Sequence, residues 1–448
     1  MLQKPLVILE ALRCGYPWAS DRMHRFMLDG MAEHAGRLEN TSVYYYPYIE
    51  PKTGAGKGLL AALASHACVV VTDDFPCFFL PRMVASAARQ VSVLMEVVDS
   101  NGLLPMRQAE KAYPTAYAFR RFLQKELPRH LMEFPKVNAI SNAKLPKARP
   151  LPREITKRWP KASLRLLDSG ERALPGIPLD HGVPPVETRG GSMAAQKVLR
   201  NFLRNRLPAY ADARNQPAQQ ATSELSPYLH FGHISVHQIF TELTTQEGWS
   251  PSHLALRATG SRSGWWGAAR ETEAFLDQVI TWRELGFNCC EMRKDYDQFE
   301  SLPPWALKTL RKHARDERSY VYSLERFERA KTHDPLWNAA QTQLLREGRI
   351  HNYLRMLWGK KIIEWSGTPE KALEIMVELN NKYALDGRDP NSYSGILWCL
   401  GRYDRPWGPE RPVFGTVRYM SSENTARKFN VREYIRKYGS PIESGAKA

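Results

Sequence analysis

Three tryptophans in the last third of the chain are the residues whose type and spacing could move electrons. Trp358 and Trp365 are seven residues apart, which on a helix is about two turns and about 10 Å along one face. Trp337 precedes them. Indole rings can be oxidised and re-formed without a large structural change, so the three could form a relay. Packing is the alternative, because an aromatic stripe at helical spacing is usually core.

Polar residues set between these tryptophans favour a functional site over plain core. Asn352, Arg355 and the pair Lys360–Lys361 interrupt the apolar face of the same segment. An acidic turn with the sequence DGRDP follows at residues 386–390. A purely structural helix needs none of these residues.

A cluster of hydroxyl groups lies earlier, in the string ATSELSPYLHFGHIS at residues 221–235. Thr222, Ser223 and Ser226 stand next to a predicted helix start. Free backbone N–H groups and the helix dipole at such a start favour a pyrophosphate. Simple helix capping is the alternative for these hydroxyls.

The chain is long enough for two or three domains with real cores, since it has 448 residues. It carries 63 Lys and Arg against 47 Asp and Glu, a formal net charge of +16. Such an excess favours a polyanionic partner, above all nucleic acid, over an anionic membrane surface. Charge alone would also fit a ribosome-associated or RNA-binding protein.

The cysteines and the apolar runs indicate a reduced, cytoplasmic, soluble protein. None of the six cysteines has the CxxC spacing of a zinc site or a thiol redox pair. Adjacent Cys289 and Cys290 are expected to pack as small apolar residues. No stretch reaches the length of a transmembrane helix, and the first residues lack a clear signal sequence. We therefore expect no membrane partner and no metal site.

The amino-terminal third alternates β-rich and helical runs, which predicts a parallel sheet with crossover helices in a Rossmann-like layer. No GxGxxG follows the first strand, so no dinucleotide site is predicted there. Residues Thr53–Gly58 imitate a phosphate loop but have the wrong glycine spacing and no hydroxyl residue after the lysine. We interpret them as an ordinary loop.

These patterns divide the chain into three parts. Residues 1–135 are predicted to form the Rossmann-like α/β domain. Residues 136–191, rich in proline, lysine and arginine, are typical of a long surface connection. Residues 192–448 are predicted to form a nearly all-α domain. The fold class is thus an α/β domain followed by a helical one.

Six ordered strings resemble the FAD domain of DNA photolyases. They are ATSELSPYLHFGHIS, FLDQVITWREL, THDPLWNAAQ, IHNYLRMLWGKKIIEW, LNNKYALDGRDPN and FGTVRYM. Within that superfamily they are most similar to the class II cyclobutane pyrimidine dimer photolyases. The match is close over about residues 220 to 435, whereas the first 190 residues agree mainly in pattern.

The resemblance implies a U-shaped FAD buried in the helical domain. The residues assigned to it are Thr222, Ser223, Leu225 and Ser226 at the pyrophosphate, Asn352 and Arg355 beside the flavin, Asp386 as the partner of Arg355, and Asp389 at the ribityl chain or ring edge. Buried opposite charges are costly unless they are paired and hydrogen-bonded, which is the physical reason for having both Arg355 and Asp386. An ion pair that only stabilises the helices is the alternative.

Asn380, in LNNKYALDG, falls where the family places the group beside the reactive ring nitrogen of the flavin. Asparagine is uncharged and both donates and accepts hydrogen bonds, so it suits a neutral radical and a reduced anionic flavin in turn. If Asn381 is the inward residue, the assignment shifts by one.

The resemblance also gives the tryptophans two separate uses. Trp358, Trp337 and Trp365 would form the relay that brings electrons from solvent to the photoexcited flavin, so the three rings should be close in space. Trp282 and Trp398 match the aromatic pair that lines the lesion pocket. A pyrimidine dimer stacks poorly in duplex DNA, so flipping it out costs less, and flat indole walls can receive it.

Two more residues would complete that pocket and its rim, namely Met356 and Arg418. Arg418 is expected to contact a DNA phosphate. A surface charge without a partner is the alternative for Arg418.

Gln278 departs from the family pattern, because dimer repair enzymes usually carry a glutamate at this place. Glutamine keeps the hydrogen bonding and loses the acid. Relatives that act on (6-4) photoproducts carry glutamine here, so that lesion becomes an alternative substrate. Asp277 beside it points another way on a helix and is not expected to compensate.

Two further regions depart from the family. Between Trp398 and Arg418 the chain loses one residue and gains another relative to the pattern, which should alter a loop that touches DNA. The motifs for a second, antenna chromophore in the amino-terminal domain are loose. A deazaflavin, a flavin or an empty pocket therefore stay open.

The sequence thus predicts a light-driven lyase that splits cyclobutane pyrimidine dimers in damaged double-stranded or single-stranded DNA. We expect a cytoplasmic monomer that associates with the nucleoid when bound to DNA. The alternatives are repair of (6-4) photoproducts, a cryptochrome-like FAD photoreceptor that signals without repair, and a plain nucleic-acid-binding protein with a tryptophan-rich helical core.

Overall fold

The computed structural model describes residues 2–132, 134–140, 144–167 and 174–439. Two compact units divide the chain. The first comprises Met1–Asn101, Met132–Val198 and Leu225–Ile239, and the second comprises Gly102–Leu131, Leu199–Glu224 and Phe240–Ala448. These bounds do not coincide with the sequence-based bounds at residues 135 and 192.

Buried side chains explain why residues 102–131 belong to the second unit. The carboxylate of Glu284 accepts hydrogen bonds from the backbone N–H groups of Leu103 at 2.7 Å and Leu104 at 3.3 Å. Further along, Nε of Arg120 donates to Asp277 at 2.8 Å. Such long-range polar contacts leave no periodic signal in the sequence.

The first unit contains the predicted β-α alternation. Its strands are β1 (Val7–Leu12), β2 (Tyr44–Ile49), β3 (Val69–Asp73) and β4 (Leu94–Val98). All pairing between them is parallel, as expected, but it joins β1 to β2 and β3 to β4 in two separate pairs. The described residues therefore form two small parallel sheets where the sequence predicted one.

Helices fill the connections of the amino-terminal half. They are α1 (Asp21–Leu38), α2 (Leu59–Ala64), α3 (Leu80–Ala88), α4 (Ala116–Glu126), α5 (Arg153–Arg158), α6 (Leu164–Leu167) and α7 (Ser192–Asn201). Helix α1 begins after Ser20, whose hydroxyl accepts from the N–H of Met23, and has Asp21 in its first turn and Arg37 in its last, which suits the helix dipole. Residues 53–58 form turns without strand or helix, as predicted for a loop.

Part of the predicted connection packs onto the first unit. Ile155 and Trp159 are buried in one apolar cluster with Tyr46, Tyr48 and Leu59. The indole N–H of Trp159 also donates to the carbonyl of Ala55 at 3.0 Å. The proline-rich composition therefore did not predict that this stretch contributes to a core.

From residue 210 to residue 439, the regular elements are helices joined by loops, with one isolated bridge between Arg411 and Gly415. The helices are α8 (Tyr210–Ala213), α9 (Ser226–His230), α10 (Val236–Gln246), α11 (Arg270–Leu276), α12 (Arg283–Met292), α13 (Pro304–Lys312), α14 (Leu324–Glu328), α15 (Pro335–Glu347), α16 (Asn352–Glu364), α17 (Pro369–Tyr383), α18 (Pro390–Cys399), α19 (Ser422–Lys428) and α20 (Arg432–Tyr438). Within the described ranges, no helix combines the length and the apolar character needed to cross a membrane.

Three of these helices start with the same local chemistry. Asp334, Thr368 and Asp389 each precede a proline, and each side chain accepts a backbone N–H from the first turn of α15, α17 or α18. A side-chain acceptor at the cap and proline at the first helical position are both favoured there. The sequence thus sets where the helices of the site begin.

Two glycines allow the helices of the site to approach closely. A Cβ atom on Gly286 of α12 would lie 3.0 Å from the backbone of Asn391 in α18. A Cβ atom on Gly359 of α16 would lie 2.6 Å from the sulfur of Cys399 and 3.0 Å from that of Met376. Helices α12, α16, α17 and α18 therefore pack at short range.

Candidate functional site

Trp337 lies between the other two tryptophans of the predicted relay. Its ring centre is 6.4 Å from that of Trp358, with the planes only 4° apart. On its other side Trp365 lies 6.1 Å away at 69°. Trp337 is fully buried, and Trp358 and Trp365 are nearly so. The three indoles thus form one continuous series in the order Trp358, Trp337, Trp365.

Neutral acceptors hold the two inner indoles. The N–H of Trp358 donates to Oε1 of Gln341 at 2.9 Å, and the N–H of Trp337 donates to the carbonyl oxygen of Trp358 at 3.0 Å. Gln341 is itself completely buried. Sequence reasoning missed this residue, although a polar side chain four positions after Trp337 on the same helix face was a usable signal.

Other aromatic and charged groups surround Trp365, the first residue after α16. The rings of His333 and Tyr322 lie 4.8 and 5.9 Å from it. Nζ of Lys361 lies 5.3 Å from the ring centre and pairs with Glu364 at 2.8 Å. This end of the series is therefore more polar than the inner end.

The ion pair implied for the cofactor is present. Nη2 of Arg355 lies 2.9 and 3.2 Å from the two carboxylate oxygens of Asp386, and both side chains are mostly buried. Nε of Arg355 is buried too, and no residue in the described part of the chain accepts its hydrogen bond. A buried donor without an acceptor is costly. An oxygen atom of FAD, uncharged or anionic, would supply the acceptor for Nε of Arg355. Arg355 and Asp386 therefore fit a bound FAD.

Two neighbouring asparagines on α17 have different hydrogen bonds. The side-chain amide of Asn381 makes two hydrogen bonds. Its Nδ2 donates to the hydroxyl of Tyr393 at 3.1 Å, and its Oδ1 accepts from the backbone N–H of Arg388 at 2.9 Å. Asn380 donates from Nδ2 to Ser392 at 2.7 Å. Asn381 is thus committed to the turn after α17, which holds Arg388 at a positive φ of 64°.

The remaining residues assigned to the cofactor lie at helix starts or just before them. Asn352 is the exposed first residue of α16. Asp389 uses one carboxylate oxygen to cap α18 through the N–H of Asn391 at 2.9 Å. For this aspartate, the capping contact is a structural role that the resemblance did not imply.

The residues of the hydroxyl string are divided between the two compact units. Thr222 and Ser223 belong to the second unit, whereas Leu225 and Ser226 belong to the first. The backbone carbonyl of Thr222 accepts from Arg206 at 3.1 Å, and Leu225 is buried while Ser226 is exposed. Ser226 begins the five-residue helix α9, so the predicted helix start is present.

Gln278 and Trp282 share one side of a π-helical turn, Asp277–Trp282. Both side chains are half-buried, and π-helical turns often occur at functional sites. Asp277 points elsewhere and pairs with Arg120, as predicted. Trp282 meets the ring of Tyr403 edge-on, with centres 6.5 Å apart.

Trp398 lies near the end of α18. Two cationic side chains from different segments of the chain lie close to its ring. Nζ of Lys360 lies 5.2 Å from the ring centre and the guanidinium of Arg418 lies 5.5 Å from it. Nζ of Lys360 also donates to the carbonyl of Cys399 at 2.6 Å. Met356, which is half-buried, lies one turn before Lys360 on α16.

Arg418 has protein partners of its own. Its guanidinium donates to both carboxylate oxygens of Asp404, at 3.0 and 3.3 Å, and stacks 4.1 Å from the ring centre of Trp407. The alternative of a surface charge without a partner is therefore wrong. Asp404 and Trp407 were missed because they lie in the loop where the chain departs from the family pattern.

Comparison with known proteins places this geometry in a family. No protein-family model matches the sequence. The deoxyribodipyrimidine photo-lyase of Methanothermobacter thermautotrophicus is 33% identical over 435 residues, covering 97% of this chain and 87% of that protein. The deoxyribodipyrimidine photo-lyase of Potorous tridactylus is 34% identical over 442 residues, covering 97% and 75%.

Solved structures agree with the fold. A class III photolyase from Agrobacterium tumefaciens superimposes with a TM-score of 0.65 at 16% identity, over 97% of this chain and 80% of that one. A Synechocystis cryptochrome gives 0.66 at 12% identity, over 97% and 82%. Fold and sequence together show that the chain belongs to the deoxyribodipyrimidine photo-lyase family, within the photolyase/cryptochrome superfamily.

Proposed function

We propose that this enzyme is a class II photolyase that repairs cyclobutane pyrimidine dimers. The family acts in DNA repair and uses FAD. The observation that carries the finer proposal is the continuous series of three indoles at 6.1 and 6.4 Å, together with the separate indole Trp398 in the same unit. The chain thus has one set of rings for electron supply and another suited to a flat ligand.

Bound FAD supplies the light-driven electron that opens the cyclobutane ring. Residues of the second unit orient and tune it. Arg355 and Asp386 form the charged part of its cradle, and the free Nε of Arg355 supports a contact with the cofactor. The amide of Asn381 is already used on both sides, which supports Asn380 as the residue beside the reactive nitrogen.

The hydroxyls of Thr222, Ser223 and Ser226, with the neighbouring Leu225, are proposed to hold the pyrophosphate. Asn352 is proposed to flank the flavin and Asp389 to reach its ribityl chain or ring edge. An antenna chromophore of deazaflavin or flavin type stays a prediction.

The relay would work by short hops from Trp365 through Trp337 to Trp358. Each oxidised ring is refilled by its outer neighbour, so no ring has to move. Because the acceptors of the two inner N–H groups are an amide and a peptide oxygen, neither can take up a proton. The inner indoles can therefore exchange electrons without exchanging protons.

The lesion would lie against Trp282 and Trp398, with Gln278 and Met356 contacting the damaged bases. Arg418 is proposed to reach a DNA phosphate from the rim of this pocket while it pairs with Asp404. The net charge of +16 supports binding of damaged DNA. We propose that the protein binds it as a monomer.

The test offers two lesions to one preparation. Illuminated, reduced holoprotein should restore the bases of DNA that carries a cyclobutane dimer and leave a (6-4) photoproduct unchanged. Repair of the (6-4) lesion alone would establish the second candidate, which the glutamine at position 278 favours. Absence of repair of either lesion, with FAD bound and under saturating light, would favour a cryptochrome-like photoreceptor.

Gln278→Glu sharpens the test, because it restores the acid that dimer repair enzymes usually carry. If Gln278 contacts the lesion, this variant should change the ratio of the two repair rates while the FAD content stays constant. Gln298→Glu is a matched control on an exposed loop of the same unit and should leave the ratio unchanged.

A further inference from the structure

Lys360 is completely buried, and the proposed function does not use it. A lysine side chain in such a place normally faces a cost, because burial disfavours its charged form. Burial does lower the pKa of Lys360, to about 8. At neutral pH the side chain of Lys360 therefore stays mostly protonated. The contacts of the ammonium must offset the cost of burying its charge.

Its first contact completes the end of α18. The last carbonyls of a helix have no partner within the helix. Here the carbonyl of Leu397 accepts from the N–H of Leu400 and that of Trp398 accepts from the N–H of Gly401, each at 3.0 Å. The next carbonyl, that of Cys399, accepts from Nζ of Lys360 at 2.6 Å. A cation at this end also suits the helix dipole.

Its second contact is with the indole of Trp398, at 5.2 Å from the ring centre, within the range of a cation–π interaction. Lys360 thus touches both the backbone that carries Trp398 and the ring itself. Neighbouring Lys361 has neither contact, since its ammonium pairs with Glu364 and lies over Trp365.

We propose that Lys360 is a positioning residue for the lesion pocket. Its ammonium fixes the last turn of α18 and the plane of Trp398, so preference for damaged DNA depends on the charged form of Lys360. This inference rests on the proposed role of Trp398 as a wall of that pocket.

The charged and titratable groups that act on the ammonium come from two segments. On α18, burial raises the pKa of the Cys399 thiol to about 11, so this group stays neutral. In the following loop, Asp404 favours the charged lysine and Arg418 opposes it. Burial alone would raise the pKa of Asp404, but hydrogen bonds from the Arg405 backbone and from neighbouring side chains lower it, so this carboxylate stays charged.

The experiment measures the ratio of dissociation constants for undamaged and dimer-containing DNA between pH 7 and pH 9, in the dark, with wild-type holoprotein, Lys360→Met and Lys361→Met. The wild-type ratio should fall as pH rises through about 8. Lys360→Met should lower the ratio at pH 7 by roughly 3- to 30-fold and make it independent of pH. Lys361→Met should keep the wild-type profile.

The free energy of unfolding gives a second readout, whose change with pH has the opposite sign to that of the binding ratio. The lysine has a pKa of about 8 in the folded protein and its ordinary 10.5 when unfolded. Between these values the unfolded chain binds more protons, so Lys360 makes folding more favourable as pH rises from about 8 to about 10.5. Lys360→Met should lose this slope. Methionine fills a similar volume without a charge, and such replacements are often tolerated, while Lys360→Gln is a second variant.

The outcomes separate the two ideas. A Lys360→Met holoprotein with the wild-type lesion ratio and pH profile would overturn the role of Lys360 alone. A wild-type protein without any preference for dimer-containing DNA at any pH would overturn the proposed lesion site and, with it, this inference. A lower ratio that follows loss of FAD in Lys360→Met, seen in its absorption spectrum, would also count against a positioning role.

Discussion

Trp337 and Trp358 are held by neutral partners, whereas the ring of Trp398 lies close to two cations, although all three indoles belong to the same compact unit. The inner relay rings donate to the amide of Gln341 and to a peptide carbonyl. Trp398 is flanked by Lys360 and Arg418. Trp398 therefore experiences a different electrostatic field from the two inner indoles.

The difference in electrostatic surroundings agrees with the two separate roles that we propose for the indoles. A nearby cation attracts the electron-rich face of an indole, but it repels the same ring once that ring has lost an electron. Trp398 should therefore be harder to oxidise than the inner relay rings. Asp404 offsets part of the charge of Arg418 and leaves Lys360 as the main cause. The outer ring, Trp365, also lies 5.3 Å from an ammonium, that of Lys361, but Glu364 pairs with it at 2.8 Å and offsets its charge.

The largest effect is expected from Trp337→Phe. Removing the middle indole leaves Trp358 without a neighbouring donor, so light-driven reduction of the bound flavin should fall below detection. Binding of damaged DNA should stay unchanged, because Trp398 is untouched. Transient absorption and a filter-binding titration measure the two properties.

Trp266→Phe is the matched control for that variant, since Trp266 is also buried in the second unit. Both substitutions remove part of a buried ring and should cost about 1–3 kcal/mol of unfolding free energy. Only the first should affect the flavin. Photoreduction at the wild-type rate in Trp337→Phe would refute the relay.

Asp386→Asn is expected to affect both regions together, through the cofactor. It leaves Arg355 mostly buried without its counter-ion, at a cost of about 2–4 kcal/mol. The ratio of flavin to protein absorbance should fall, and urea unfolding should shift to lower concentration. A variant that keeps full FAD content and stability would show that this ion pair is not part of the cradle.

Trp398→Ala should have the converse effect of Trp337→Phe. Loss of one stacking wall costs about 1–3 kcal/mol, or roughly 5- to 150-fold in affinity for dimer-containing DNA. Photoreduction in the absence of DNA should remain at the wild-type rate. If photoreduction is lost instead, the division of the indoles into two functional groups is wrong.

The smallest effect is expected from Gln341→Leu, which leaves the N–H of Trp358 buried without an acceptor. The expected cost is about 1–2 kcal/mol of unfolding free energy, with a moderate slowing of photoreduction because Trp358 can rotate. Gln343→Leu is the matched control, since Gln343 is also buried on α15 but bonds to Tyr438 and Glu347. It should lower stability without slowing photoreduction.

Local pattern was enough to predict much of the fold. The β-rich runs became β1 to β4, and the parallel direction followed from the helices between them. The cap residues followed by proline at the starts of α15, α17 and α18 are local signals of the same kind, although sequence reasoning did not use them. These features depend on residues that are close together in the sequence, which is why the sequence alone indicates them.

Other features depended on contacts that a linear pattern does not contain. Residues 102–131 belong to the helical unit because the backbone of Leu103 and Leu104 bonds to Glu284, which lies far along the chain. The packing of Ile155 and Trp159 onto the first unit contradicts what a proline-rich composition indicates. Loop-length and composition arguments give no information about such partners.

The sequence by itself determined the family and the residues proposed for its chemistry, because the order of the tryptophans, the Arg355 and Asp386 pair and the asparagines of α17 are all present as motifs. The tertiary structure alone decided which groups surround each ring. It placed Trp337 between its two partners, bonded Asn381 to Tyr393 and to the backbone of Arg388, and brought Lys360 onto Trp398. The physical reason is that an electric field or a hydrogen bond depends on distance in space, and residues far apart in sequence supply both.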